Sequence, residues 1–405
     1  MSFQTALSGL NAASTHLDVT AHNIANVQTS GFKESRAEFA DVYATSSGDV
    51  SATATGSGVR ISAVKQQFSQ GTIDFTDSSL DLAISGEGFF VLEDSEGIVY
   101  TRSGAFSVDN EGYVVNYALQ RLQVYPTSAG DSFSTGSLED LQLVTSENPP
   151  QETSVAEIGV NLPVNESTPA VTTFDPLVAD SFNNSSSLTI YDSLGATHSA
   201  TTYYVKSSVS NAWDTYLYID GNAVGGANTL TFDSSGNLIA PASGQITYPS
   251  YDAGNGSSPI VLTQDFIDTT QYGGEFGVNQ LTQDGYPTGR LTGIEIDQNG
   301  VVSARFTNGQ ADRLGKVALA IFTNPNGLQQ TGDTTWGETF ASGQPRRGEA
   351  GTSDFGLIQS GALENSNVNL TDQLVEMITA QRNFEANSQM IQTADAVTQT
   401  ILNIR

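Results

Sequence analysis

The chain has 405 residues, 15 basic against 44 acidic side chains, a formal net charge of −29 and no cysteine. Its length allows two or three domains, and it has no means to build a disulfide framework or thiolate chemistry. Nucleic acid and anionic membrane surfaces are disfavoured as partners, because too few cations are present to replace counterions. No run of about 18 apolar residues occurs, so no helix is expected to span a membrane. Aromatic and β-branched residues are too plentiful for a disordered chain. The opening Met1-Ser2-Phe3-Gln4-Thr5-Ala6 has no basic segment and no long apolar core, so a Sec leader is not expected. Cytoplasmic residence, or export by a route that reads no cleaved signal, fits that opening equally well.

The first element is helical. Phe3, Leu7, Leu10, Ser14, Leu17, Ala21 and Ile24 recur at alternating steps of four and three, which predicts an apolar seam on a helix over residues 3–27. Ala6, Ala12, Ala13 and Ala25 keep the neighbouring faces small, and Gly9 interrupts the helix at a cost of about 1 kcal/mol relative to alanine. Thr29-Ser30-Gly31 marks the helix exit. Residues 34–70 are small and polar with a weak strand at 59–64, and are expected to form an extended connector.

Residues 71–145 change character. Strands are expected at 80–84, 89–92, 98–100 and 113–115. Between them and further on, Asp-x-x-Gly recurs at Asp94–Gly97, Asp109–Gly112, Asp192–Gly195, Asp233–Gly236 and Asp297–Gly300. An aspartate opening a turn accepts backbone N–H groups, and a glycine closing it takes a positive φ, so these are hairpin corners of an antiparallel body. From Glu147-Asn148-Pro149-Pro150 to Gly289 most of the proline lies among short strands such as 187–191, 200–205 and 213–219. Lys206 is the only basic residue between Arg121 and Arg290. This segment is expected to be an exposed all-β sandwich or barrel. Strands at 292–296, 301–306 and 317–322 return to the earlier style.

The last stretch, Gly361–Arg405, has Asn369 and Asp372 placed as a helix cap. Leu370, Leu374, Met377, Gln381, Phe384, Ser388 and Ile391 then repeat the four-three spacing. A helix of this reach spans roughly 50 Å. Each large apolar seam residue contributes at most about 1.5–3 kcal/mol on burial, against about 1–2 kcal/mol per residue to order the backbone. A lone helix of this kind is marginal, so more than one neighbour is needed. Two arrangements stay open: an antiparallel pair closing one globular protein, or helices that pack against further copies.

Three histidines are present, and His16 and His22 lie six apart, off a common face. Solvated or packed roles suit them and His198 better than metal binding or catalysis. There is no P-loop, G-x-S-x-G, HExxH or GxGxxG, and the Asp-x-x-Gly turns put glycine at the fourth position rather than the sixth of a calcium loop. No catalytic residue, no metal site and no cofactor are expected. The fold expected is multidomain, with a terminal α-helical coiled-coil pair and two mainly antiparallel β domains in nested, discontinuous order. The divisions are 1–70 with 359–405 (helices and connector), 71–145 with 285–358 (β domain) and 146–284 (inserted outer β domain).

Two terminal signatures carry a resemblance, joined by internal matches at LAISGEGFFVL (82–92), YTRSGAFSVDNEGYVVN (100–116), 307–309 and 314–320. Asn23-Ile24-Ala25-Asn26-Val27-Gln28-Thr29-Ser30-Gly31-Phe32-Lys33 is similar to the N-terminal signature of the rod and hook family of bacterial flagellar axial proteins. Gly361-Ala362-Leu363-Glu364-Asn365-Ser366-Asn367-Val368-Asn369-Leu370, with Gln381-Arg382-Asn383-Phe384-Glu385-Ala386-Asn387-Ser388, is similar to its C-terminal signature. Residues 1–145 and 285–405 are covered, and the middle segment carries no quotable motif. One departure is Val124, where the family commonly has glycine. The length and the insertion point to the hook branch rather than a distal rod subunit. The resemblance implies a structural, non-enzymatic subunit that polymerises with itself into a curved flexible tube. It implies export through the flagellar type III apparatus and contact with rod protein, hook cap and hook–filament junction proteins. Phe3, Leu7, Leu10, Leu17, Ile24, Leu370, Leu374, Met377, Phe384 and Ile391 are the expected packing residues. A secreted β-rich adhesin or glycan-binding module is the alternative of a different class.

Overall fold

The computed structural model describes residues 2–42, 56–128, 132–143 and 147–403. The chain forms two compact units. Unit 1 takes residues 1–145, 293–305 and 311–405, and unit 2 takes 146–292 and 306–310. Terminal helices and mainly antiparallel sheets make up the described residues, as the periodicities and turns predict.

In unit 1, α1 (Ser2–Ala25) and α2 (Leu370–Asn403) run side by side. They are antiparallel: Asn23 bonds Gln373 near one end, and Gly9 lies against Asn387 further along. The Asn369 side chain caps α2 by accepting the Thr371 N–H at 3.0 Å, and Asp372 lies in the first turn, where the helix dipole favours an acid. Along α2, Thr379, Thr393, Thr398 and Thr400 each bond the carbonyl four residues back, so these polar side chains are satisfied without a partner helix. The connector is more ordered than expected. β1 (Ser35–Asp41) and β2 (Val59–Gln66) pair as an antiparallel ribbon packed on α1, while residues 43–55 of that connector lie outside the described residues.

The body follows. β3 (Ile73–Phe75) pairs with Ala362–Glu364, and β4 (Leu82–Ser85) pairs with Leu357–Ser360. β5 (Phe89–Asp94) and β6 (Gly97–Thr101) form a hairpin inside a larger antiparallel sheet. That sheet runs in the order Leu291–Ile296, Val301–Phe306, Ala311–Ile321, Arg121–Tyr125, β5, β6, Thr335–Gly337, Gln329–Gly332. The continuous apolar run of β5 has a physical reason, since both its faces are buried. Phe90 and Leu92 join a core with Leu82, Ile84, Leu122 and Leu319, while Phe89 and Val91 join another with Tyr100, Tyr125 and Trp336. Val124 sits buried in its strand, paired with Val317 and Glu139.

Unit 2 is all β. One antiparallel sheet orders Asn184–Tyr191, Thr197–Lys206, Ala212–Ile219, Asn228–Phe232 and Leu238–Ala240. The other orders Gln245–Thr247, Thr263–Asp265, Val155–Asn161 and Gly277–Gln283, with Val155–Asn161 parallel to Thr263–Asp265. Both contribute to one core around Trp213, Tyr204, Leu217, Phe266 and Ile158, which makes the unit a sandwich. Residues 285–292 join this unit, past the division placed at 284. Tyr286 and Gly289 bridge back to Gln151 and Asn148, which holds the returning strand beside the outgoing one.

Candidate assembly site

The two signature stretches meet in unit 1. α1 ends as the Asn26 amide turns back to the His22 carbonyl at 2.9 Å, and Asn26 Oδ1 accepts the Thr29 hydroxyl at 3.2 Å. Gly31 then takes φ +72° and donates its N–H to the Glu364 carbonyl at 2.8 Å. A Cβ there would overlap the Ser103 backbone nitrogen, so glycine is required twice over. Phe32 is buried with its ring edge-on to His22 at 5.4 Å, and Lys33 is carried inward behind it.

Lys33 Nζ lies 2.6 Å from Glu364 Oε1, and both side chains are fully buried. The other Glu364 oxygen takes Arg102 Nη1 at 3.3 Å, with Arg102 only 2% exposed. The remaining bonds are local. Glu364 Oε1 also accepts the Gly71 N–H at 2.9 Å, Lys33 donates to the Ser69 carbonyl at 2.8 Å, and Arg102 donates to the Gly86 carbonyl at 2.9 Å. The Arg102 guanidinium stands 5.4 Å over the Phe89 ring. One carboxylate thus serves two buried cations, and main-chain carbonyls take up the excess positive charge. Burial pushes the Lys33 ammonium below its ordinary value, against the pull of Glu364. Burial likewise lowers Arg102, opposed first by Glu364 and then by Glu87.

A network of side-chain amides and the Glu34 carboxyl continues from there to the helices. Asn23 Oδ1 accepts the Ser35 N–H at 2.9 Å, while its amide donates to the Ser35 carbonyl at 2.8 Å and to Gln373 Oε1 at 3.0 Å. Gln373 donates to Glu34 at 2.9 Å, the Glu34 N–H bonds Asn367 Oδ1 at 2.8 Å, and Asn367 bonds the Gln67 carbonyl at 2.8 Å. Burial, then the Glu376 charge, raise the Glu34 carboxyl above its ordinary value, and the Gln373 bond opposes them. The network joins α1, β1, the end of β2 and the start of α2. Asn23→Ala strands the Ser35 and Gln373 polar groups in a buried site, and a loss of about 1–3 kcal/mol is expected. Urea unfolding followed at Trp336 checks this, and an unchanged midpoint would rule it out.

The helix contact falls one position away from the expected seam. On α1 the buried residues are Ala6, Ala13, Thr20 and Asn23; on α2 they are Gln373 and Ala380. Met377, Phe384 and Ile391 are partly buried, as are Leu10, Leu17 and Ile24. Phe3, Leu7, Leu370 and Leu374 stay 40–50% exposed. Small residues win the contact because they let the backbones approach; a Cβ on Gly9 would stand 2.5 Å from Asn387 Oδ1. Within the signatures, Asn23, Gly31, Phe32, Lys33 and Val368 are buried and Asn26, Thr29 and Asn367 partly so. Ala25, Gln381, Arg382 and Ala386 are exposed, and Asn387 is partly buried against α1. Glu34 and Gln373 were missed from the sequence, and Glu364 and Arg102 stood inside matching stretches with no role assigned to them. A usable signal existed: in a chain with 15 basic residues, Arg102 sits in a run of buried strand pattern, and Glu364 is the lone acid of its stretch.

Comparison with known proteins places these elements. Family models match in four places. The flagella basal body rod protein model covers residues 3–33, and the flagellar hook protein FlgE/F/G D1 domain covers 83–163. The flagellar basal body protein FlaE D2 domain covers 161–286, and the flagellar basal body rod FlgEFG protein C-terminal model covers 359–404. The flagellar hook protein FlgE of Escherichia coli (strain K12) is 38% identical over 412 residues, spanning 100% of both chains. This chain belongs to the flagellar hook protein family. The hook protein of Salmonella typhimurium is 36% identical over 100% of both chains, and that of Borreliella burgdorferi is 31% identical over 100% of this chain and 99% of its own. The crystal structure of the Helicobacter pylori flagellar hook protein FlgE2 covers 72% of this chain and 100% of its own, at 16% identity and a TM-score of 0.54, which shows a shared fold. The protein is a structural subunit of the flagellar hook. In this hook subunit the first and last matched segments supply Lys33 and Glu364, so the junction is where the two terminal models touch.

Proposed function

We propose that this hook subunit polymerises through the outward faces of its helix pair into a curved, bendable tube that joins the rod to the filament. The observation that supports this most is the division of labour on the helices. Small and polar residues are spent on the intramolecular contact, and the large apolar side chains Phe3, Leu7, Leu370, Leu374, Val375 and Ile378 are left 40–59% exposed. Phe3 and Leu7 expose apolar surface at one end of the pair and Leu370, Leu374, Val375 and Ile378 at the other, which supports an interaction surface along it. The helices and connector form the inner wall in this reading, and unit 2 lies outermost. Rod protein, hook cap and hook–filament junction proteins are the further contacts, and the flagellar type III apparatus exports the subunit without a cleaved signal.

Electron microscopy of purified full-length chain under polymerising conditions tests the reading. Tubes are expected from the parent. Leu7→Glu with Leu374→Glu is expected to give folded monomers and no tubes, because both changes put charge on exposed positions outside the monomer's own contact. Tubes unaffected by the double substitution would remove the helices from the interface.

A further inference from the structure

In unit 2, Asp192 opens the turn between the strands Asn184–Tyr191 and Thr197–Lys206. Its Oδ1 accepts the Leu194 and Ala196 N–H groups at 2.9 and 2.8 Å, and its Oδ2 accepts the Asn255 amide at 2.6 Å. His198 follows the turn with its side chain 9% exposed. Its Nε2 stands 3.3 Å from Asp192 Oδ2 and its Nδ1 stands 2.6 Å from Asp220 Oδ2. Asp220 lies at the next corner, after Ala212–Ile219, and its Oδ1 holds the Ser199 N–H at 2.9 Å. A neutral imidazole has one N–H, and an ionised carboxylate only accepts. With a carboxylate oxygen on each ring nitrogen, only the imidazolium satisfies both sides.

Asn255 brings a third segment to this point. Its loop, residues 252–258, is fastened by the Ser258 N–H to Ser193 Oγ at 2.9 Å. The loop's own carboxylate, Asp252, accepts the Gly254 N–H at 2.9 Å, and Asn222 bonds the Tyr251 hydroxyl at 3.3 Å beside Asp220. Gly195, φ +81°, closes the same turn, and a Cβ there would lie 2.9 Å from Pro150 and 3.3 Å from the Thr288 nitrogen. Those two residues belong to the segments by which the chain enters and leaves unit 2.

We propose that His198 is a proton-operated latch: as the imidazolium it clamps the 192–196 turn to the Asp220 corner and, through Asp192 and Asn255, to the 252–258 loop, and losing its proton frees this end of the unit. The electrostatics agree in sign. Burial alone would lower the imidazole, but the Asp220 and Asp192 bonds outweigh it and hold His198 above its ordinary 6.5. Burial works against ionised Asp192 as well, yet Asn255, the two amides and His198 hold it at about 2. Asp220 also lies below its ordinary value, burial being outweighed by His198 and Ser199. A raised histidine stabilises the fold below 6.5 and stops doing so as pH climbs through its folded value; the lowered aspartates stabilise above the ordinary carboxylate value and stop as pH falls. The latch is closed below the ordinary histidine value and opens as pH climbs through the raised folded value.

Nitrogen-15 NMR of the full chain labelled at histidine tests the latch. At pH 6 both ring nitrogens of His198 should carry protons, with a titration midpoint above the ordinary histidine value. Hydrogen-exchange protection of Leu194, Ala196 and Ser258 should fall through that midpoint, by about tenfold for each unit of displacement. Asp220→Asn should lower the midpoint and move the protection change with it. His198→Gln should remove the pH dependence. A neutral single-tautomer His198 at pH 6, or protection that stays flat through the His198 midpoint, would overturn the proposal, and both are read on the unmodified protein.

Discussion

Glu364→Ala is expected to destabilise unit 1 by about 3–5 kcal/mol, the cost of breaking a buried ion pair from one side. The substitution leaves Lys33 buried with no carboxylate and Arg102 with only the exposed Glu87 carboxylate at 4.0 Å, and it also frees the Gly71 N–H. The chain supplies its own reporters, because Trp336 lies in unit 1 and Trp213 in unit 2. Arg102 stacks on Phe89, and Phe89 touches Trp336 at 5.7 Å, so the indole senses the core beneath the cluster. In a Trp213→Phe background, urea unfolding followed by fluorescence should show the Trp336 transition moved to lower denaturant. A change below about 1 kcal/mol would mean that the cluster relaxes or admits water. Glu364→Gln keeps an acceptor for Lys33 and should fall between parent and alanine.

Gly31→Val is the second large effect. The position requires φ near +72°, which a β-branched residue scarcely adopts, and the added side chain meets the Ser103 backbone rather than a movable side chain. A loss on the order of 3 kcal/mol is expected from strain and displacement together. The same fluorescence transition measures it, and cells carrying the variant should lack motility. Gly31→Ala should cost less but still be clearly destabilising. Parent-like stability in both would show that the loop can move aside.

The hairpin corners were the most legible part of the fold. Asp109, Asp192, Asp233 and Asp297 each accept the N–H groups two and four residues on, and the glycines three residues on all have positive φ. That pattern is local, so a local reading finds it. The helices were legible for the same reason. Their contact face was not, because periodicity locates the large apolar side chains and not what faces them. Here Ala6, Gly9 and Ala13 lie inward, and only the approach of Asn387 reveals it. The connector was under-read. β1 and β2 alternate weakly and remain largely exposed, so their sequences carry little of the burial signal that marks a strand. The ion cluster was hidden by distance along the chain, since nothing near Lys33 announces a partner 331 residues away.

That distance has a consequence for the order of events. Residues 146–292 form most of unit 2 without a break and can close on themselves early, whereas β3, β4 and α1 all wait for residues 357–403. Closing so long a loop is a small added burden at equilibrium, about 0.6 kcal/mol for each doubling of length, but a delay in time. Until Glu364 arrives, Lys33 lacks its buried carboxylate and Arg102 has only the exposed Glu87, so both stay hydrated. A chain truncated anywhere before residue 364 therefore cannot complete unit 1, and the fold itself discriminates finished subunits from fragments.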